Sequence, residues 1–273
     1  MNQFTQILTK YWGFATFRPL QEEIIRSVDQ GNDTLGLMPT GGGKSVTFQV
    51  YSLSKPGICL VVTPLIALMK DQVENLNRRG IKALAVYSGM SSQEMKIAMD
   101  HAAWGDYKFL YLSPERINTE RFRDRIGQMD VNLIAVDEAH CISQWGHDFR
   151  PDYRMLGQHL PALRPAPVIA LTATATPRVQ QDICGQLGMD SATRFIHGFR
   201  RENLAIEVVE AAPSRRAELV LELLSDEDRR PAIVYAPTRK QVDQLTRELK
   251  AEFPAGAYHA GLDAEHRKRV QEE

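Results

Sequence analysis

The sequence is poor in cysteine. Its 273 residues include three cysteines, Cys59, Cys141 and Cys184, which are far apart, and no two of them form a C-x-x-C pair. The sequence therefore favours neither a disulfide framework nor a zinc site built on paired cysteines.

Long apolar runs and an excess of positive charge are lacking as well. No run approaches the ~20 apolar residues that a membrane span requires, and residues 1–14 lack the basic start and apolar core of a signal peptide. We therefore expect a cytoplasmic protein without a membrane partner. The formal net charge is −1 and the isoelectric point is about 6.7, so a nucleic-acid partner would have to be held by a local groove.

The composition is that of a globular protein, with 43% hydrophobic and 25% charged residues. A chain of this length accommodates about two domains. A polar connector rich in helix breakers follows residue 198, and we predict one domain over residues 1–198 and a second, partial one over residues 199–273.

A glycine-rich loop is the most informative local pattern. It follows a short apolar strand, precedes a helical pattern and reads MPTGGGKS, residues 38–45. Consecutive glycines let backbone N–H groups face one anion, and the helix dipole adds positive potential. We predict that Lys44 reaches the β- and γ-phosphates of a nucleotide while the Ser45 hydroxyl binds Mg²⁺. The alternative is a glycine turn with a solvated lysine.

Apolar runs alternate with helical patterns along most of the chain, which predicts an α/β fold with a parallel sheet covered on both faces. Strands are predicted at residues 35–38, 58–62, 83–87, 109–112, 133–136, 168–171 and, at an edge, 191–197. Helices are predicted at residues 2–11, 20–30, 65–79, 92–103, 118–127 and 177–187. A second alternation places strands at residues 204–209, 232–235 and 255–258, with helices at residues 213–224, at residues 238–251 and from residue 263 onward.

Polar residues follow successive predicted strands, where ligands of parallel sheets collect. The strand over residues 133–136 ends in Asp137 and Glu138. We predict that Asp137 contributes to binding Mg²⁺ with Ser45, and that Glu138 orients or deprotonates the attacking water. A helix cap is the alternative explanation of this acidic pair.

Two stretches are rich in aromatic residues. Phe14 lies near the FRPLQ segment, residues 17–21, where an aromatic face beside the Gln21 amide suits an adenine ring. The second stretch, QWGHDFR at residues 144–150, suits the stacking of unpaired bases. A buried tryptophan and a salt-bridged arginine are the alternative explanation of that loop.

The longest informative run is DEAHCISQWGHDFRP, residues 137–151, and it resembles the DEAH box and aromatic-rich loop of the RecQ family of superfamily 2 DNA helicases. The MPTGGGKS loop and the FRPLQ segment resemble the family's phosphate and adenine motifs. The family resemblance implies two RecA-like P-loop NTPase motor domains, of which the second is incomplete here.

The resemblance implies roles for individual residues. Lys44, Asp137, Glu138 and His140 are implied in catalysis. Nucleotide contacts are implied for Phe14, Arg18, Gln21, Thr40, Gly41, Gly42, Gly43, Lys44 and Ser45. DNA contacts are implied for Thr63, Pro64, Trp145, His147, Phe149, Arg150, Arg239 and His259.

The activity that the resemblance implies is 3′ to 5′ translocation and unwinding of single-stranded and partly duplex DNA, driven by ATP with Mg²⁺, in recombination and repair. The family's motor continues beyond the position of Glu273 to an arginine that contacts the γ-phosphate. We therefore expect this polypeptide to bind ATP and DNA but to hydrolyse ATP weakly. An RNA-directed ATPase and a nucleotide-dependent binding module remain alternatives, and the sequence identifies no protein partner.

Overall fold

The computed structural model describes residues 2–146, 148–163, 165–198 and 204–272. The chain divides into two compact units, Met1–Arg200 and Arg201–Glu273. None of the helices in the described ranges is long and apolar enough to cross a lipid bilayer.

The first unit is built on a seven-stranded parallel sheet with the order β3-β4-β2-β5-β6-β1-β7. The strands are β1 (Thr34–Leu37), β2 (Ile58–Val62), β3 (Ala83–Val86), β4 (Phe109–Leu112), β5 (Val131–Val136), β6 (Val168–Thr172) and β7 (Thr193–Ile196). All seven predicted strands of this unit are confirmed to within two residues at either end. The predicted edge strand is β7, which pairs with β1.

Helices cover both faces of this sheet, as a parallel sheet requires. One face carries α1 (Gln3–Trp12), α2 (Gln21–Asp29), α3 (Lys44–Leu53) and α4 (Ile66–Arg78). The other carries α5 (Ser92–Trp104), α6 (Pro114–Ile117), α7 (Glu120–Ile126), α8 (Pro151–Arg154), α9 (Leu156–His159) and α10 (Pro177–Gln186).

The sheet separates two apolar cores, and β2 shows how. Its alternate side chains point to opposite faces, so Cys59 and Val61 join one core while Leu60 and Val62 join the other. Every residue of this strand is buried. An unbroken apolar run is therefore what the sequence of a central strand must provide.

Local sequence fixes where several of these helices begin. The Asn2 side chain accepts a hydrogen bond from the Thr5 N–H at the start of α1. Ser91 and Glu94 form a reciprocal capping box before α5, and Thr176 caps α10 just ahead of Pro177. Each such cap satisfies N–H groups that have no partner inside the helix.

The sequence missed short elements in two regions. The helix predicted at residues 118–127 is confirmed as α7, and the four-residue α6 that precedes it was not predicted. In residues 139–163 the described part forms α8, α9 and two 3₁₀ turns, Ala139–Ile142 and Leu160–Leu163, none of which was predicted. These segments are only four residues long, so hydrophobic periodicity had too little length to reveal them.

The second unit forms its predicted helices but not its predicted strands. Its helices are α11 (Arg216–Ser225), α12 (Arg239–Leu249) and α13 (Ala264–Glu272). Within residues 204–272 no strand is formed, and the prediction of strands at residues 204–209, 232–235 and 255–258 is wrong. Apolar side chains in the predicted strands are exposed to solvent: Ile206 is 88%, Val208 is 92% and Tyr235 is 90% exposed. A strand exists only when a neighbour accepts its hydrogen bonds.

A close backbone approach between α9 and α10 gives a stability prediction. A Cβ atom at Gly157 would lie 2.0 Å from the carbonyl oxygen of Gln186. Gly157→Ala is expected to lower the free energy of unfolding by about 1–3 kcal/mol, the usual cost of overpacking. Urea denaturation should measure this loss.

Gly185→Ala is the matched control, because a Cβ atom there meets no other atom within 4 Å. Gly185 lies in α10, so alanine should add up to about 1 kcal/mol of helix propensity. Equal unfolding midpoints for the two variants would contradict the close approach.

Candidate nucleotide and nucleic-acid site

Three neighbouring strands bring the predicted catalytic segments to one edge of the sheet. Strand β6 lies between β5 and β1, and the register pairs Leu37 with Thr172 and Val136 with Ala170. The glycine loop leaves β1 at this edge, and Asp137 follows β5 directly. The sheet therefore places the predicted phosphate loop and acidic pair around the end of one central strand.

The glycine loop has a backbone that only glycine accommodates easily. Gly41 and Gly43 have φ angles of 78° and 76°, in the left-handed region that side chains disfavour. A Cβ atom at Gly43 would lie 2.3 Å from the Gln21 amide nitrogen, and one at Gly42 would lie 2.9 Å from the Pro39 carbonyl. Helix α3 begins at Lys44, so its N-terminal dipole faces whatever the loop holds.

The FRPLQ segment is joined to the glycine loop. The buried Gln21 amide donates to the carbonyl oxygens of Gly42 and Gly43, each at 3.1 Å, and its oxygen accepts from the Arg18 N–H at 2.9 Å. The Arg18 guanidinium donates to the Gly41 carbonyl. Both side chains support the loop, and their predicted contacts with the nucleotide stay predictions.

A cleft opens beside this segment. It measures about 790 Å³, and its lining includes Thr16, Phe17 and Arg18. That volume is within the range of small-molecule sites. The Phe14 side chain nearby in sequence is 51% exposed, so an aromatic face is available to a ligand.

Asp137 and Lys44 are close enough to interact electrostatically. Asp137 is partly buried, and desolvation together with the charge of Glu138 raises the pKa of its carboxyl to about 6. The Glu138 N–H and the Lys44 ammonium act in the opposite direction and lower that pKa. The predicted phosphate-binding lysine and metal-binding acid thus belong to one site.

Glu138 has a strained backbone, with φ 47° and ψ 45°. Its carboxylate lies 3.3 Å from His140 Nδ1, which also lies 2.9 Å from the Thr172 hydroxyl at the end of β6. Strain of this kind in a non-glycine residue persists where the surroundings enforce it. These contacts connect residues 137–140, which we call the acidic box, to the end of β6.

A hydrogen-bond chain that the sequence did not predict reaches the Ser45 hydroxyl. Gln72 on α4 donates to it at 2.9 Å and accepts from the buried Gln49 at 3.0 Å. Gln49 also lies 3.0 Å from the buried Tyr111 hydroxyl. Gln72 therefore links α4, which follows the predicted DNA-contacting segment, to the predicted metal ligand.

The aromatic-rich loop packs against α10. The Arg178 guanidinium lies 3.4 Å from the centre of the Trp145 ring, which is 53% exposed. The Ser143 hydroxyl donates to Asp182 at 2.6 Å. Trp145 is therefore not a buried core residue.

Arg150 joins the same loop to the end of β2. Its guanidinium binds Asp148 at 3.1 Å and the Pro64 carbonyl at 3.1 Å. The ion pair was the alternative explanation of this arginine. The Phe149 side chain beside it is 37% exposed.

Other residues of the first unit predicted to contact nucleic acid are buried or lie outside the described residues. Thr63 and Pro64 are buried, and the exposed apolar surface after β2 belongs to Leu65 and Leu68. His147 lies outside the described residues, as do residues 199–203 of the connector between the two units.

Arg239 and His259 belong to the second unit. Arg239 is exposed, and His259 lies 2.9 Å from Asp243. Their predicted contacts with DNA remain untested.

Tyr153 and Arg178 are further residues that sequence reasoning missed. The buried Tyr153 hydroxyl donates to the Asp137 carbonyl at 3.0 Å and so supports the tip of β5. Pro151 opens its helix, which is a recognised start signal. No local pattern marks Arg178, because its partner Trp145 lies 33 positions away.

The residues present suit a magnesium–nucleotide complex. Ser45 and Asp137 offer oxygen ligands, which Mg²⁺ prefers, and Asp137 has an unfavourable ionisation that a cation would relieve. The Lys44 ammonium and the N-terminus of α3 supply positive potential for phosphate. The site therefore fits the cofactors that the sequence predicts.

The fold and this site define the class of phosphate-loop α/β NTPases. Residues 18–183 match the family model of the DEAD/DEAH box helicases. The chain belongs to that family.

The comparisons also identify more specific relatives. The chain is 42% identical over 275 residues to the ATP-dependent DNA helicase RecQ of Bacillus subtilis, covering 100% of this chain and 46% of the relative. It is 40% identical over 277 residues to the probable ATP-dependent DNA helicase RecS of the same organism, covering 100% of this chain and 55% of the relative. The chain thus spans about half the length of these curated relatives.

A solved structure supports the fold alone. The Mycobacterium smegmatis helicase Lhr, bound to single-stranded DNA and AMP-PNP, matches with a TM-score of 0.66 at 19% identity. The match covers 99% of this chain and 40% of that one.

The raised pKa of Asp137 predicts a stability cost. Because the folded-state pKa of about 6 lies above the ordinary value of 3.8, the stability of the ligand-free fold falls as the pH rises between these two values, and the full cost is present above pH 6. Asp137→Asn should therefore stabilise the ligand-free protein by about 3 kcal/mol at pH 7.5. The gain should shrink as the pH falls toward 5, in thermal unfolding at each pH.

Asp130→Asn is the control, since Asp130 lies on the chain just before β5. This substitution removes an acid outside the site and should not reproduce the stabilisation. A gain for Asp137→Asn of equal size at pH 5 and pH 7.5 would contradict the titration argument.

Proposed function

We propose that this chain is the ATP-binding part of a RecQ-type DNA helicase motor that couples ATP hydrolysis to 3′ to 5′ movement on single-stranded DNA. The observation that carries the proposal is the electrostatic coupling of Lys44 and Asp137 across the end of β6, in a chain that also has an exposed aromatic loop. The family and the similarity to DNA helicases support the same function. A role in recombination and repair and a cytoplasmic location belong to this proposal.

The nucleotide site uses residues of the first unit. Residues 40–43 and Lys44 hold the phosphates, and Ser45 and Asp137 hold Mg²⁺. Bound Mg²⁺ supplies positive charge that stabilises the charge developing on the phosphates. Gln21 and Arg18 connect the adenine side of the site to the loop through their bonds to its carbonyls.

Glu138 is the residue we assign to orienting the attacking water and accepting its proton. Its contact with His140 at 3.3 Å fixes the direction of the carboxylate. His140 in turn forms a hydrogen bond with the Thr172 hydroxyl, so a displacement at the end of β6 would change the position of the Glu138 carboxylate. This is how we propose that DNA binding influences hydrolysis.

The aromatic-rich loop is the proposed DNA contact. Arg178 covers one face of the Trp145 ring, and a ring that is half exposed can receive a base on its other face. Arg150 transmits the position of this loop to Pro64 and to the acidic box through the bond between its N–H and the Cys141 carbonyl.

An RNA-directed ATPase of the same superfamily is the alternative. The aromatic loop favours single strands in general, since stacking does not read the 2′-hydroxyl. Binding of matched DNA and RNA strands to the same preparation decides between them. Tighter binding of the RNA strand would replace our proposal with the alternative.

Lys44→Ala tests the nucleotide site. Loss of the ammonium beside the phosphates should weaken the binding of a fluorescent ATP analogue by about tenfold or more, equivalent to ~1.4 kcal/mol. Lys96→Ala removes an exposed lysine on α5 and should bind the analogue normally. Unchanged affinity in Lys44→Ala would remove both enzyme hypotheses together.

Trp145→Ala tests the DNA contact. Stacking of one base is worth about 1–3 kcal/mol, so affinity for a single-stranded oligonucleotide should fall about 5- to 150-fold. Binding of the ATP analogue should change little. Fluorescence anisotropy measures both.

Trp104→Ala is the matched control, because that indole is 70% exposed on α5. It should leave DNA affinity unchanged. Equal losses of DNA and nucleotide affinity in Trp145→Ala would show a packing role instead.

A further inference from the structure

A second cluster of possible metal ligands lies between the acidic box and the aromatic-rich loop. It consists of His140, Cys141 and Asp148, whose ligand atoms all lie within 4.8 Å of one another. Cys141 Sγ is 3.8 Å from His140 Nε2 and 3.7 Å from Asp148 Oδ2. The cluster is separate from the oxygen ligands Ser45 and Asp137 and contains a different set of donor atoms.

These separations suit a tetrahedral ion. Zinc binds thiolate sulfur at about 2.3 Å and nitrogen or oxygen at about 2.0–2.2 Å, which places neighbouring ligand atoms roughly 3.3–3.7 Å apart. The two distances from the sulfur, 3.8 and 3.7 Å, are close to that range, and the histidine and aspartate ligand atoms lie within 4.8 Å of each other, so side-chain adjustments of about an ångström close the site. A sulfur, a nitrogen and one oxygen favour zinc over magnesium, which prefers oxygen alone.

The histidine is oriented as it is in known metal sites. Its Nδ1 faces the Thr172 hydroxyl at 2.9 Å and the Glu138 carboxylate at 3.3 Å, while Nε2 faces the cysteine sulfur. Metal-binding histidines usually direct their second nitrogen to a carboxylate or another acceptor in this way. The outer support for a ligand is therefore in place.

We propose that His140, Cys141 and Asp148 form an inhibitory site for zinc or a similar soft divalent cation. Three protein ligands leave a fourth position for solvent, reached past Asp148, whose side chain is 48% exposed. Binding displaces the thiol proton of Cys141 to solvent and draws Asp148 away from Arg150. The bound ion fixes Asp148 of the aromatic-rich loop to His140 and Cys141. Under the proposed function, on which this step rests, the immobilised His140 slows ATP hydrolysis at the neighbouring Glu138.

Cobalt(II) is the probe for this site, because tetrahedral cobalt–thiolate coordination has a near-ultraviolet charge-transfer band that magnesium cannot produce. Titration of the 273-residue chain in excess Mg²⁺ and without ATP should give this band at one equivalent. Added Zn²⁺ should abolish it. The titration needs no nucleotide, so its outcome is independent of the proposed function.

Variants locate the ligands. Cys141→Ser should abolish the band, whereas Cys184→Ser and Cys59→Ser, which remove the other two cysteines, should retain it. If Cys141→Ser fails to fold, Asp148→Asn at the half-exposed ligand should weaken cobalt binding about tenfold or more. A band that survives in Cys141→Ser, an unchanged cobalt affinity in Asp148→Asn, or no band in the unaltered chain would overturn the proposal.

The inhibitory role has its own measurement. Micromolar Zn²⁺ in the presence of excess Mg²⁺ should reduce whatever ATP turnover the chain shows, and a chelator should restore it. In Asp148→Asn the Zn²⁺ concentration for half inhibition should rise about tenfold, following the loss of metal affinity. An unchanged half-inhibitory concentration in that variant would refute the inhibitory role.

Discussion

The constraint on which the first unit depends is the placement of negative charge at the ends of buried parallel strands. Asp137 and Glu138 stand side by side after β5, and partial burial, together with the charge of Glu138, raises the pKa of Asp137 to about 6. Such an arrangement costs stability in the ligand-free protein. Lys44, on the far side of β6, offsets part of that cost. A divalent cation bound beside the two carboxylates would offset more of it.

The same crowding makes the site sensitive to its neighbours. Glu138 contacts His140, His140 contacts Thr172, and the Cys141 carbonyl accepts from the backbone of Arg150. On the other side, Ser45 is reached from α4 through Gln72. Both paths run from predicted DNA-contacting segments to groups around the phosphates. Short contacts between rigid strand ends can transmit a displacement of a few tenths of an ångström, which flexible loops would absorb.

The sequence predicted those features that depend on local chemistry. The strands of the first unit are apolar along their length because both faces of the sheet are covered. The glycine loop and the acidic pair could be identified because their characteristic residues are adjacent in sequence. Contacts between distant positions could not be predicted. Gln72 with Ser45, Tyr153 with Asp137 and Arg178 with Trp145 each depend on how the helices pack against the sheet. The cluster of His140, Cys141 and Asp148 could not be predicted either, because Asp148 comes close to the other two residues only in the folded chain.

The second unit shows the limit of pattern reasoning from the opposite direction. Its alternating apolar residues indicate strands, yet within residues 204–272 the corresponding segments form no strand, and Val208 and Tyr235 remain almost fully exposed. Helices α11 and α12 form at the predicted places because a helix satisfies its backbone internally. A strand satisfies its backbone only through a neighbour. A local sequence pattern can therefore be sufficient for a helix. A strand also needs a second strand that accepts and donates its backbone hydrogen bonds, and a sheet forms only where such a strand is present.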